Sequence, residues 1–324
     1  MIKLIQFIKN NGLPGVGVVN GDKIELLNGI KSTYELFVEA QQASSKIEDV
    51  IPGLLSGEYE YYPIISKEQR LLLPLIHPDP YHTWITGTGL THLGSAASRN
   101  AMHEKINAAT TELTDSIKMF QIGLKNGKME NNIPAAQPEW FYKGNGLIAV
   151  NPGKEITSPS FALDGGEEPE IVGIYIIDKT GNPVRIGFSL GNEFSDHVTE
   201  KINYLYLAHS KLRQCSYGPE LLIADLPKCI TGKSKITRNN KVLWEKEFLT
   251  GEDNMSHNIR NLEYHHFKYE MFRQPGDVHV HFFGTSVLSF SDQVKTEDGD
   301  IFHIEADAFE HALVNPLKKL NSNQ

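Results

Sequence analysis

The chain has 324 residues, enough for one large domain or two smaller ones. Apolar residues make up 40% of it, which supplies a packed core and excludes a disordered chain. With 31 Lys+Arg against 40 Asp+Glu the net charge is −9, which argues against a global grip on nucleic acid or an anionic membrane; a small anionic ligand would need a local cation.

The first residues, Met1 to Gly12, hold an apolar stretch broken by Gln6 and Lys9, with no small-residue cleavage site after it. No signal peptide is expected, and a cytoplasmic protein is. Residues 1–28 read as short strands. Apolar residues flank Asn20-Gly-Asp22, a hairpin signal. Tyr34, Leu36, Phe37 and Ala40 recur at helical spacing within 31–48. Pro52, Gly53, Gly57 and Pro63 mark 51–75 as a linker, so the expected domains are 1–75, small and α/β, and 76–324.

Buried strands are expected at the boundary, 71–75, and beyond it at 146–150, 170–177, 277–283 and 301–306. Helical patterns cover 98–124 and 198–209, the second holding Val198, Ile202, Leu205 and Tyr206 on one stripe. Strands outnumber helices without alternating with them, which predicts an α+β fold and not a doubly wound sheet. Cys215 and Cys229 form no CxxC and no thiolate zinc site. No run approaches the ~18 apolar residues of a membrane span. The tail after Lys318 is expected to fray.

Four segments carry chemistry. In Gly165-Gly-Glu-Glu-Pro-Glu170, Glu168 and Glu170 stand two apart at the mouth of an apolar strand. Period two puts both carboxylates on one face, where they repel unless a cation lies between them; hard divalent ions take such oxygen ligands. In Gly191-Asn-Glu-Phe-Ser-Asp-His197, Glu193 falls where a strand gives way to a helix that Ser195 or Asp196 would cap. Lys211 follows one helix later, able to hold an anion or to act as acid or base. Finally, Pro275-Gly-Asp-Val-His-Val-His-Phe-Phe-Gly-Thr-Ser286 is a strand running into Gly284 and Thr285, whose N–H groups and hydroxyl suit a carboxylate. His279 and His281 share one face of that strand, read as exposed or hydrogen-bonded instead of metal-ligating.

Taken in order, these segments resemble the fumarylacetoacetate hydrolase superfamily. The matches are Glu168-Pro-Glu170, Asn192-Glu193, Lys211 with Gly218-Pro219, and Pro275-Gly-Asp277 with Gly284-Thr285; Gly299-Asp300 and Asn315 also fit. The stretches Thr88-Gly-Leu-Thr-His-Leu-Gly-Ser-Ala96 and Ser210-Lys-Leu-Arg-Gln-Cys-Ser-Tyr-Gly-Pro-Glu220 look like its sugar-acid branch. The resemblance implies a rolled, mixed β-core with a small N-terminal domain, a homodimer and a Mg²⁺ site, with Mn²⁺ or Ca²⁺ as alternatives. Glu168, Glu170 and Glu193 would hold the ion. Glu193 stands where relatives carry Asp, so Asp196 is the fallback third ligand.

The resemblance also implies a small 2-oxo acid as substrate. The reading is a hydro-lyase that dehydrates a 2-keto-3-deoxy sugar acid through a metal-stabilised enolate, a pentonate giving 2,5-dioxopentanoate. A C–C hydrolase of a 2,4-diketo acid and a non-catalytic metabolite-binding relative stay open. Lys211 is the candidate acid/base or substrate clamp, and Thr285 with Gly284 the carboxylate site. A lid over 88–104 should bring His92, or the pair His103 and Glu104, as acid/base. Lys143, in a Phe-x-Lys segment, would line the pocket or offset the acidic cluster, and Arg99 would meet distal oxygens.

Overall fold

The computed structural model describes residues 1–94 and 114–321. Among them a twelve-stranded sheet forms the body of the molecule. Its main path runs Leu55–Tyr61, Lys23–Leu27, Pro14–Asn20, Ile2–Ile8, Glu220–Ile223, Pro183–Asn192, Pro169–Ile177, Val278–Phe282, Thr83–Gly87 and Phe141–Asn145. A five-stranded sheet, ordered Lys241–Thr250, Ile230–Arg238, Ile301–Ala306, Leu313–Lys319 and Ile156–Ser158, packs beside it. The architecture is the mixed α+β one expected, and no helix of the described residues is long and apolar enough to cross a membrane.

The central strand Pro169–Ile177 is buried along its whole length, which is why it reads as an unbroken apolar run. Val172, Ile174 and Ile176 face one core with Val280, Phe282 and the helix residues Leu36 and Phe37. Ile171 faces the other side, where Phe188, Leu190 and Phe283 meet Ile230, Phe248, Ile304 and Leu313 of the smaller sheet. The strand is therefore clamped between two layers, and its N-terminal end is held as firmly as its middle.

The hairpin at Asn20 is present, with Asn20 opposite Lys23 across the turn. The helix expected over 31–48 is Thr33–Gln42, capped by Ser32, which accepts from the Glu35 N–H. The expected linker 51–75 is instead ordered structure. Ile47–Leu54 is a helix, Leu55–Tyr61 a strand and Tyr62–Lys67 a helix that takes Pro63 in its first turn, where no N–H is needed. Its apolar residues decide this: Ile51, Ile65, Leu71, Leu73 and Leu75 are all buried. The sheet also crosses the expected boundary at 75 without a break, because Ile2–Ile8 bonds to Glu220–Ile223 with Leu4 opposite Leu221.

Three further elements depart from expectation. Residues 71–75 make a single bridge from Leu71 to Phe7 and stop, since Pro74 has no N–H for a ladder. Residues 146–150 form a short 3₁₀ turn, Gly146–Ile148, and the two-residue strand Ala149–Val150. The helix over 198–209 is split into His197–Ile202 and Leu207–Lys211 by Asn203, whose backbone is extended and whose side chain caps Leu205 at 2.9 Å. Its stripe is not a core face: Leu205 is 80% exposed. Asp115–Asn126 is the described part of the helix expected over 98–124.

Candidate metal centre

The centre is built where two antiparallel strands end together. Gly191 pairs with Glu170 and Asn192 with Pro169, and beyond the last pair the Glu193 N–H still donates to Glu168 O at 3.0 Å. Gly166 and Ser195 close the ladder with two mutual bonds of 3.0 Å. Glu168 and Glu193 are thus cross-strand neighbours, and Glu170 lies one pleat along on the face of Glu168. The three carboxylates each bring an oxygen within 4.8 Å of the others, and all three side chains are buried.

Buried like charges need cations. Lys211, at the end of the helix Leu207–Lys211, sets its ammonium against Glu168 Oε1 and 2.8 Å from Glu193 Oε2. Lys143 donates to Glu193 Oε1 at 2.6 Å, to Phe194 O at 2.7 Å and to Lys211 O at 3.0 Å. His197 reaches Glu168 Oε1 through Nε2 at 3.1 Å, and its Nδ1 lies 3.5 Å from Asp164 Oδ2. Burial alone would raise the Glu168 carboxyl, but Lys211 and His197 outweigh it and hold it well below the ordinary range. Burial, then the charges of Glu193 and Glu168, push Glu170 well above it. Burial opposes the charged forms of Lys211 and His197; their carboxylate neighbours win, raising Lys211 and bringing His197 to about 10.

A hard dication fits this donor set. It is all carboxylate oxygen, buried, and set on strands fixed by sheet hydrogen bonds. Among the described residues, Glu168 takes both its hydrogen bonds on Oε1, and Glu170 takes the Gly284 N–H on Oε2 at 2.6 Å. One oxygen of each is thereby left for an ion. Gly284 is required at its place: φ is +94°, and a β-carbon would run into Thr91 Oγ1 and come within 2.8 Å of Thr88 O.

The structure sorts the remaining candidates. Asp196 is not in the cluster. It caps Thr199, accepts from the Leu163 N–H and pairs with Arg213 at 3.0 Å, and the acidic cluster forms without it. Lys143 offsets the cluster: its ammonium donates to protein oxygens and its side chain is buried. The His92 ring lies between Thr91 Oγ1 at 3.1 Å and Thr250 Oγ1 at 2.7 Å, buried, and burial lowers its pKa to about 4. Thr285 is half-buried, with Oγ1 donating to Val287 O at 2.9 Å. His279 and His281 are buried and hydrogen-bonded, to His266 and Thr86. Arg99, His103, Glu104 and the 95–104 part of the expected lid lie outside the described residues.

Three contributors escaped the sequence reading. Ser195 donates to Glu193 O at 2.7 Å. Glu167 is buried and takes both the N–H and the hydroxyl of Ser289, yet burial still lifts its pKa to about 7. His197 bridges two acidic residues. Its only sequence signal was its place directly after the helix cap, four residues beyond Glu193.

No family model and no curated protein matches the sequence. Solved structures do match. The apo form of 2-keto-3-deoxy-D-arabinonate dehydratase aligns over 99% of this chain and 100% of its own, at TM-score 0.70 and 19% identity. The chain has the fumarylacetoacetate hydrolase-type fold. The same dehydratase complexed with magnesium and 2,5-dioxopentanoate aligns over the same spans at TM-score 0.70 and 18% identity. A 2-hydroxyhepta-2,4-diene-1,7-dioate isomerase from Mycobacterium marinum aligns over 98% of this chain and 99% of its own, at TM-score 0.60 and 14% identity. The fumarylacetoacetate hydrolase-type fold accounts for the mixed sheets.

Proposed function

We propose that the chain is a metal-dependent hydro-lyase that removes water from a 2-keto-3-deoxy sugar acid, a pentonate giving 2,5-dioxopentanoate. The observation that carries this reading is the buried trio Glu168, Glu170 and Glu193 with the Lys211 ammonium laid against two of its members. A structural neighbour that is such a dehydratase, solved with magnesium and 2,5-dioxopentanoate, supports it.

Glu168, Glu170 and Glu193 would hold Mg²⁺, with Mn²⁺ or Ca²⁺ as alternatives. When bound, the dication stabilises negative charge developing on a 2-keto oxygen as a C3 proton leaves. The residues of the chain do the rest. Lys211 keeps its proton because two carboxylates surround it, so it would clamp a substrate oxygen as a fixed ammonium, or hand its proton to the departing C4 hydroxyl once one of those carboxylates turns to the ion. Thr285 and the Gly284 loop, tied to Glu170 by the Gly284 N–H, receive the substrate carboxylate. The C3 proton would go to His92, or to the pair His103 and Glu104, which lie outside the described residues. Loss of the C3 proton and the C4 hydroxyl removes one water and leaves a C3–C4 double bond; its shift to C4–C5 gives an enol that tautomerises to the C5 aldehyde, while the C2 keto group is retained. Lys143, buried and fully bonded, holds Glu193 in place throughout.

The isomerase neighbour favours a second reading, movement of a C3 proton without loss of hydroxyl. The test is one incubation series. Purified protein, Mg²⁺ and a panel of 2-keto-3-deoxypentonates, 2,4-diketo acids and unsaturated oxo-diacids are followed by mass. Loss of one water supports the proposal. Pyruvate release points to C–C hydrolysis, and an absorbance change at constant mass to isomerisation. No turnover on any substrate leaves a metabolite-binding protein.

A further inference from the structure

The imidazole of His197 sits in a prepared slot. Nε2 is 3.1 Å from Glu168 Oε1 and Nδ1 is 3.5 Å from Asp164 Oδ2, while the ring stacks on Phe290 with centroids 5.3 Å apart. The floor of the slot is the backbone of Gly166: a β-carbon there would stand 2.8 Å from His197 Nδ1 and 2.9 Å from Cε1. Asp164, Gly166 and Glu168 come from one stretch of chain, so every second residue leading into the central strand touches the same ring.

A carboxylate oxygen only accepts, so His197 donates from Nε2 to Glu168. That bond falls on Oε1, the oxygen that Lys211 also holds. The carboxylate is pinned by one oxygen from two sides, and Oε2 takes neither of these bonds. We propose that His197 is a positioning residue, with the Asp164 carboxylate 3.5 Å from its Nδ1, that fixes which oxygen of Glu168 is offered to the ion and thereby sets metal affinity. It touches neither substrate nor reacting atoms. The inference rests on the metal-centre reading given above. Groups that orient ligands in this way cost ten- to a hundredfold in metal affinity when removed.

The test is calorimetric titration of metal-free protein with Mg²⁺ and with Mn²⁺. His197→Ala is expected to weaken binding by about ten- to a hundredfold, and His197→Gln, which keeps an amide donor, to recover part of the loss. Asp164→Asn should move affinity the same way by less. Gly166→Ala, which pushes the ring off its floor, supplies an independent variant if His197→Ala fails to fold. At saturating metal, turnover on a substrate identified in the panel should return toward wild type, because only the affinity is altered. Wild-type affinity in folded His197→Gln, Asp164→Asn and Gly166→Ala overturns the proposal while leaving the metal centre intact. A wild-type chain that takes up neither ion overturns both.

Discussion

Lys211 and Glu193 form a buried ion pair, Nζ to Oε2 at 2.8 Å, that joins the end of a short helix to the end of the strand Pro183–Asn192. The same ammonium touches Glu168, so one cation spans two of the three carboxylates. Lys211 is the internal counter-ion of the centre and, in the proposed reaction, its acid or substrate clamp.

Lys211→Met should separate these roles. Removing a proton donor costs roughly 10²–10⁴-fold in turnover. Mg²⁺ affinity should stay the same or rise, since the variant removes a charge that competes for the same oxygens. Turnover assays and calorimetry on one preparation decide it; activity within tenfold of wild type would remove Lys211 from the mechanism.

Metal binding should register as stability. A ligand present at 100 times its dissociation constant stabilises the folded chain by about 2.7 kcal/mol. Thermal unfolding is therefore expected to shift upward with added Mg²⁺, and downward again with a chelator. Glu170→Gln should abolish the shift while keeping the Gly284 N–H bond to the remaining side-chain oxygen. An equal shift in that variant would place the ion elsewhere.

Lys143→Met tests the other cation. Breaking a buried pair from one side costs about 3–5 kcal/mol, because the remaining charge loses its partner. Glu193 keeps Lys211, so the lower end is expected. Urea unfolding measures it. A change below about 1 kcal/mol would mean that Lys211 alone neutralises Glu193.

The histidines outside the centre predict acid sensitivity. Burial lowers His92 and His257 to about 4, and His279 and His281 to about 3. These rings are neutral when folded, whereas the unfolded chain protonates them near pH 6.5. Below that pH unfolding takes up protons, so stability is held above pH 6.5 and lost as pH falls toward 3. Urea midpoints should drop between pH 7 and pH 5, and less steeply in His281→Gln. A midpoint that is flat over this range would contradict the burial of these rings.

Much of the frame was legible in the residues. Pro169–Ile177 announced itself as an apolar run, Asn20 and Lys23 flank the turn that Gly21 and Asp22 signalled, and the two-residue spacing of Glu168 and Glu170 put both on one face. The segment 51–75 is ordered although Pro52, Gly53, Gly57 and Pro63 are exposed, because Ile51, Ile65 and Leu71 between them are buried against the rest of the chain. The stripe at 198–209 misled in the opposite sense: its spacing is helical, but Asn203 interrupts it and its face stays in solvent.

By itself the sequence determined which local elements form and which carboxylates share a face, because periodicity, caps and turn chemistry act between residues a few positions apart. Only the tertiary structure decided that Glu193, not Asp196, joins Glu168 and Glu170, that Lys143 is spent on Glu193, and that His197 belongs to the centre. Those outcomes depend on the register of Gly191 against Glu170 and on burial, which sets charges from distant segments against one another where water cannot screen them.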